Sequence, residues 1–329
     1  MITKMCPVNY YENLIFDPDN LDYCELWYTF LDEVTQEDKE FQKYLQLAAG
    51  YSLTGVTDLD IFFMLLGSTK TGKGTFINSL HKTLGDYGKT TSFEMLLEKK
   101  FGSGGGHRAD VAELVGARLV IASEADENQK FNVAQIKSMT GGDPISAAFK
   151  YGRWFEFMPQ FKLWLATNAA PYIPQKDEAM WERIVRLPFE RHFNKTERKP
   201  EVRTTLTNPA IAGATILHWA VKGCLLWQKN SQRIKPPKII EKAHQDYKDE
   251  MNPLKDFIEE RVSENKGFSA TCKSTWYSYE HFCRENGIQY PLKRTKFRKE
   301  LLVLGYKRGR KRVKKGRVWI WKNVTVSKT

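Results

Sequence analysis

Ile61-Phe62-Phe63-Met64-Leu65-Leu66 runs directly into Gly67-Ser68-Thr69-Lys70-Thr71-Gly72-Lys73-Gly74-Thr75-Phe76, and Ile77-Asn78-Ser79-Leu80 follows. An apolar run of strand length, a glycine-bracketed loop holding Gly-Lys, and a helical pattern come in the order a phosphate-binding loop requires. In such a loop, successive backbone N–H groups line an anion-sized nest faced by the positive end of the next helix. Lys73 then reaches the β- and γ-phosphates from the rim. The stretch predicts an α/β fold that binds a nucleoside triphosphate. Gly67, Thr71, Gly72, Lys73, Gly74, Thr75 and Phe76 are the expected binding residues.

One position departs from the usual G-x-x-x-x-G-K-[ST]. The Mg²⁺-bound hydroxyl normally follows the lysine directly, but Gly74 stands there and the hydroxyl comes one residue later, on Thr75. Thr75 is therefore the expected metal ligand of the loop. Gly-Lys-Gly-Thr is also how the phosphate loop of adenylate kinases reads, so the variant is compatible with nucleotide binding.

A chain of 329 residues with 41% hydrophobic content can bury one sizeable core and a smaller satellite domain. Its longest apolar runs are about six residues, far below the roughly 18–20 that cross a bilayer. Met1–Pro7 has no signal-peptide apolar core. Five scattered cysteines without a CxxC pair argue for a reducing cytoplasm and against a disulfide framework or a zinc site. The formal charge is +12, and fifteen Lys and Arg against one acid, Glu300, lie between Gly287 and Thr329. The rest of the chain is close to neutral. A local excess of this kind is the footprint of a polyanion partner, most often nucleic acid.

Leu21–Thr35 and Asp38–Gly50 carry apolar residues at helical spacing, with Gly50 as the expected stop. From Ile61 to Phe193 strands and helices alternate, which predicts a mainly parallel sheet covered by helices. The expected strands are Ile61–Leu66, Arg118–Ser123, Lys162–Thr167 and Ile184–Leu187. Ile145–Phe157, centred on Tyr151-Gly152-Arg153, reads as a hairpin. One long apolar helix is expected within 207–229, and Pro236-Pro237 marks a linker. Three short helices (Pro253–Ser263, Lys273–Asn286, Leu292–Leu304) and a basic two-stranded hairpin follow, the pattern of a winged helix. Its third helix carries Arg294, Lys296 and Arg298 outward, with Phe297, Leu301 and Leu302 expected inward, and Arg310 and Arg312 lie on the hairpin. That division of faces suits a groove-binding helix.

Hydrolysis needs more than the loop: a strand-end acid, a polar group near the γ-phosphate, and a cation for the transition state. Leu119-Val120-Ile121-Ala122-Ser123 ends on Glu124, a Walker B pattern, with Asp126 and Glu127 just beyond. Glu124 is the expected catalytic acid and metal-orienting group, and which of the three acids holds Mg²⁺ stays open. Phe161–Thr167 is a second buried strand, ended by Asn168, whose amide would polarise the attacking water. Trp181-Glu182-Arg183-Ile184-Val185-Arg186 supplies guanidiniums, with Arg183 the first choice and Arg186 the next.

The order GSTKTGKGTF, GARLVIASE, KSMTGGDPIS, FKLWLATNAAP, DEAMWERIVRLPF resembles the superfamily 3 helicases, in particular the helicase half of phage, plasmid and poxvirus-type replication proteins. LQLAAGYSLTG, ILHWAVKGCLLW and YKDEMNPLKDFIEERV extend the likeness to about residues 10–265. The resemblance implies an AAA+-type P-loop ATPase core (59–195), an N-terminal helical lead-in (1–58), a helical extension and linker (196–250) and a basic winged-helix-like module (251–329). It implies ATP and Mg²⁺ as cofactors, a 3′–5′ DNA helicase working as a homo-hexameric ring, and a primase or polymerase domain elsewhere in such proteins. Lys137 matches the family's motif between the acid strand and the sensor Asn. Lys150 lies where the family projects a hairpin lysine into the ring channel to grip single-stranded DNA. Arg183 stands alone where the family often has paired arginines, as the finger offered to a neighbouring subunit. Two other readings compete: an ATP-switched DNA-binding initiator or loader with little unwinding, and a nucleotide kinase. The kinase leaves the basic C-terminus unexplained.

Overall fold

The computed structural model describes residues 4–12, 21–98, 106–123, 129–173, 177–288, 291–313 and 316–327. Two compact units divide the chain, residues 1–247 and 248–329.

Unit 1 is built on a five-stranded parallel sheet. Its strands are β1 (Phe62–Leu66), β2 (Gly88–Ser92), β3 (Leu119–Ser123), β6 (Lys162–Thr167) and β7 (Ile184–Pro188), in the order β2-β3-β6-β1-β7. The interior strands are apolar end to end because both faces are covered, as parallel sheets require: every residue of β1 and of β6 is buried. Lys162 breaks the apolar rule and is provided for. Its ammonium donates to the Thr54 carbonyl at 2.6 Å and lies 4.4 Å from the Tyr51 ring centroid, and burial together with the Arg118 charge lowers its pKa to about 7. The four strands expected from apolar runs are present. The edge strand β2 escapes sequence reading because Gly-Lys-Thr-Thr-Ser has no apolar alternation; only its pairing with β3 makes it a strand. β4 (Ile145–Ala148) and β5 (Trp154–Phe157) form the expected hairpin apart from the main sheet.

Helices α1 (Leu21–Thr35) and α2 (Lys39–Leu53) and the long α8 (Gly213–Lys229) share one hydrophobic core with β1, β6 and the helix after the Gly67–Gly72 loop, α3 (Lys73–Leu84). Lead-in, sheet and extension are thus packed as one body. Phe76 is fully buried at its centre, with ring centroids of Trp27, Trp164, Phe189 and Trp219 at 5.9, 6.1, 5.7 and 6.3 Å. Burial of one such ring contributes about 1.5–3 kcal/mol, plus roughly another 0.5–1.5 for each well-oriented aromatic pair.

Gly50 does not stop α2. The helix continues to Leu53, and Gly50 is where α8 crosses it: a Cβ there would lie 2.1 Å from the Cys224 nitrogen. The contact is reciprocal, since a Cβ on Gly223 would lie 2.0 Å from the Gln46 carbonyl oxygen. Gly50→Val must therefore push two backbones apart, and it is expected to cost about 3 kcal/mol or more. Chemical denaturation of the purified variant checks this; a loss under about 1 kcal/mol would show that the helices can separate without penalty.

Unit 2 follows the order α10 (Pro253–Arg261), β8 (Val262–Thr271), α11 (Cys272–Glu285), α12 (Arg294–Val303), β9 (Arg308–Val313), β10 (Gly316–Val326). The three helices and the β9–β10 hairpin match expectation. β8 is an addition: Val262–Thr271 is mostly exposed and reads as loop, but it pairs antiparallel with β10 to make a three-stranded sheet, β8-β10-β9. Phe257, Tyr279, Phe282, Phe297, Leu301 and Trp321 form the core of this unit. Leu302, expected inward, is 46% exposed, because Phe297 and Leu301 already fill the one face of α12 that meets the core.

Candidate functional site

The loop between β1 and α3 closes on its own lysine. α3 begins at Lys73, inside the loop motif itself, and Gly72 enters it in the left-handed region at φ +87°. A side chain at Gly72 would also strike Val34, and one at Gly67 would lie 2.0 Å from the Phe189 carbonyl oxygen. Both glycines are needed so that the backbone can turn tightly under its neighbours. Gly74 is different: a Cβ there meets only Asn78, at 3.9 Å. The fold would admit the usual hydroxyl residue at this position and does not demand the glycine.

Lys73 Nζ donates to the carbonyl oxygens of Gly67 at 2.7 Å and Ser68 at 2.6 Å, and lies 3.2 Å from Thr71 Oγ1. The residue is 7% exposed, and burial lowers its pKa to about 8. No carboxylate is among these partners, so the charge is held by neutral acceptors only. A polyphosphate, if bound here, would supply a countercharge. The sign follows directly. Above pH 8 the free lysine is largely neutral, whereas a bound polyphosphate favours the ammonium, so binding must take up a proton. Nucleotide affinity is expected to fall as pH rises from about 8, by up to about tenfold per unit. Calorimetry in two buffers of different ionisation heat should report proton uptake at pH 9 and much less at pH 7.

Around the loop lies a cleft of about 720 Å³, whose walls include Lys73, Thr75, Asn168, Arg198, Lys199 and Arg203. Thr75 and Asn168 thus share one space with Lys73. The register explains it: Leu66 pairs with Thr167, so the ends of β1 and β6 are level and Asn168 opens beside the loop. This is the crevice at the carboxyl ends of parallel strands where ligands of open α/β sheets bind. Phe76, grouped with the binding residues on sequence, turns the other way into the core. Its side chain cannot touch a ligand in the cleft.

Arg198, Lys199 and Arg203 are not singled out by the sequence. They arrive because the chain after β7 folds back over the loop: Phe193 N–H donates to the Lys70 carbonyl at 2.9 Å, and His192 Nδ1 lies 2.9 Å from the Thr69 carbonyl oxygen. α7 (Pro200–Leu206) then carries Arg203 along the rim. The only signal is a charged segment downstream of a strand. Together with Lys73 and the loop, this donor set fits a polyanion.

The other expected residues divide. β3 ends at Ser123; Glu124, Asp126 and Glu127 lie outside the described residues. Arg183 precedes β7, and its carbonyl accepts from Phe62 N–H, so it stands at the end of the sheet opposite the loop between β1 and α3. Its guanidinium donates to the Ala179 carbonyl at 2.7 Å and to Asp60 at 3.4 Å, while Nε is buried without an acceptor. Arg186 is spent within the unit, donating to the Ala243 carbonyl at 2.9 Å. Lys137 is paired with Asp177 at 2.6 Å, a carboxylate that also caps the helix Glu178–Trp181. That pairing leaves Lys137 less free for DNA than expected. Lys150 is exposed at the turn between β4 and β5, next to Tyr151, which is 96% exposed.

In unit 2, Arg294, Arg298, Arg310 and Arg312 are exposed and Lys296 is half-buried. Arg308 and Arg310 carry their guanidiniums to 3.8 and 4.4 Å from the ring centroid of Trp319 on the paired strand. No helix among the described residues is long and apolar enough to cross a membrane.

Comparison with known proteins bears on both units. Residues 65–183 match a family of unknown function (DUF5906), and residues 249–325 match the family described as poxvirus D5 protein-like. A helicase-named protein of Acanthamoeba polyphaga mimivirus, L207/L206, is 32% identical over 166 residues, covering 50% of this chain and 17% of its own length. A helicase-named protein of Frog virus 3, 022R, is 27% identical over 282 residues, covering 81% of this chain and 29% of its own. The chain therefore spans less than a third of these relatives. Among solved structures, the A-form apo C-terminal region of NrS-1 superposes with a TM-score of 0.51 at 11% identity, over 91% of this chain and 76% of that one; this is a likeness of fold.

Proposed function

We propose that this chain, which belongs to the D5-type primase–helicase family of helicase superfamily 3, is the ATP-driven motor segment of a viral or mobile-element DNA helicase. The observation that carries the reading is the meeting of Lys73, Thr75 and Asn168 in one cleft at the carboxyl end of a parallel sheet. The strand order supports an AAA+-type core, because β6 lies between the loop strand β1 and the acid strand β3 and places Asn168 between them. In this reading Lys73 would neutralise the phosphates, Thr75 with Glu124 would hold Mg²⁺, and Asn168 would orient the attacking water. Bound ATP supplies the free energy for movement. Arg183 completes the site of a neighbouring subunit in a hexameric ring. The order helix, strand, helix, helix and two-stranded ribbon supports a winged helix in unit 2, with Arg294, Lys296, Arg298, Arg310 and Arg312 on DNA.

ATP hydrolysis with and without single-stranded DNA, together with strand displacement on forks of both polarities, tests this. DNA-stimulated turnover with 3′–5′ displacement is the expected result. Slow turnover without displacement would instead point to an initiator or loader, and a requirement for a nucleoside monophosphate to a kinase. Lys150→Ala is expected to keep basal hydrolysis and lose its stimulation by DNA, since channel lysines follow the phosphate backbone and are remote from the reacting atoms. Equal loss of both activities would remove Lys150 from the channel.

A further inference from the structure

Between the first half of α12 and the β9–β10 ribbon lies a pocket of about 200 Å³ walled by Cys272, Trp276, Arg294, Arg298, Arg308 and Trp321. Arg294, Arg298 and Arg308 all line it, and the Arg308 guanidinium also faces the Trp319 ring at 3.8 Å. The ion pairs found among the described residues of this unit lie elsewhere, joining Lys255 to Asp249, and Arg261 and His281 to Glu285. Two of the lining residues carry buried donors without an acceptor, Arg308 Nε and Trp321 Nε1, and Trp321 is only 2% exposed. The first turn of α12 adds no side-chain cap, as Lys293 makes none.

Like charges lining one pocket and donors left without acceptors are unfavourable when nothing answers them. A compact anion with several acceptor atoms answers the charges that line the pocket. A cation is repelled, and an apolar group would leave the donors unsatisfied. A tetrahedral phosphate offers more acceptor directions than a carboxylate and suits the fork geometry of arginine. We propose that this pocket seats one phosphate group of a DNA strand, either a backbone diester or a terminal monoester. The proposal rests on the DNA reading of unit 2 and adds Arg308, which the sequence does not single out. It also changes what Arg294 and Arg298 do. Clamped on one phosphate, they fix the position of the strand and carry no base sequence information.

Cys272 provides a readout that needs no DNA. It is a half-buried free thiol on the pocket wall, and Cys283, fully buried, serves as internal reference. In the full-length chain, alkylation of Cys272 mapped by mass is expected to slow several-fold in inorganic phosphate relative to chloride of equal ionic strength. Arg308→Gln should abolish that protection. An unchanged rate in the unsubstituted chain overturns the pocket. Anisotropy with internally labelled oligonucleotides then separates the sources. Arg308→Gln should weaken binding about tenfold or more, for both 5′-hydroxyl and 5′-phosphate strands if the diester is seated, and for the phosphorylated strand alone if the monoester is. Lys311→Gln, on the same strand but outside the pocket, should cost less. Equal losses for the two variants overturn the seat and leave the DNA reading standing. Phosphate protection of Cys272 without any DNA binding overturns the DNA reading and leaves an anion pocket. Arg298→Gln, at an exposed position, takes the place of Arg308→Gln if the latter does not fold.

Discussion

Lys73→Ala is expected to lower ATP turnover about a thousandfold or more, the scale of removing a central charge-stabilising donor. The geometry makes the loss hard to compensate. The ammonium is gathered under the loop by the carbonyls of Gly67 and Ser68, so no other cation can take its place without reopening the turn. Lys73→Arg should fail as well, because the planar guanidinium is too wide for a seat that leaves the residue 7% exposed. Stability should move little, since the deleted charge is itself desolvated: its pKa lies near 8 because burial disfavours the ammonium. Phosphate release measured beside a thermal melt separates the effects. Turnover within about tenfold of the parent chain, with the fold intact, would take Lys73 out of the chemistry.

The second large effect belongs to Arg183. It lies at the end of β7 away from the phosphate loop and cannot serve the cleft of its own chain. Yet one of its donors is buried without an acceptor, and its ion pair with Asp60 is long, at 3.4 Å. To serve a partner's site in the proposed ring, the guanidinium would have to leave the Ala179 carbonyl, 2.7 Å away. Arg183→Ala is expected to reduce turnover about a thousandfold, the lower range for an arginine finger, with ATP binding unchanged. Mixing it with Lys73→Ala gives the decisive outcome. Random assortment around a head-to-tail ring would make about a quarter of the interfaces whole, so two inactive preparations should recover activity together. No recovery on mixing would place the role of Arg183 within its own chain.

How much of this is legible in the sequence depends on what each residue type must do. The strands β1, β3, β6 and β7 can be read because buried parallel strands have no polar side to confuse the pattern. The loop between β1 and α3 can be read because Gly67, Gly72 and Lys73 have few substitutes there. β2 and β8 cannot, since Gly88–Ser92 and Val262–Thr271 owe their conformation to a neighbouring strand and carry no apolar signature. Gly50 looks like a helix stop because glycine most often ends helices; the close crossing with α8 that it permits is a fact of tertiary packing alone. Arg198 and Arg203 belong to the same class. Their charge is visible, but their place over the loop depends on the return of the chain after β7.

The rings around Phe76 decide where this protein can be cut. Trp27 belongs to the lead-in, Trp164 to the sheet and Trp219 to the extension, and all three lie within 6.3 Å of one side chain of the phosphate-loop helix. A fragment trimmed to residues 59–195 would keep every motif of the nucleotide site and bare the wall that holds its loop in place. Engineers seeking a minimal nucleotide-binding piece should therefore keep α1 and α8 whole and make their divisions on the far side of Tyr247.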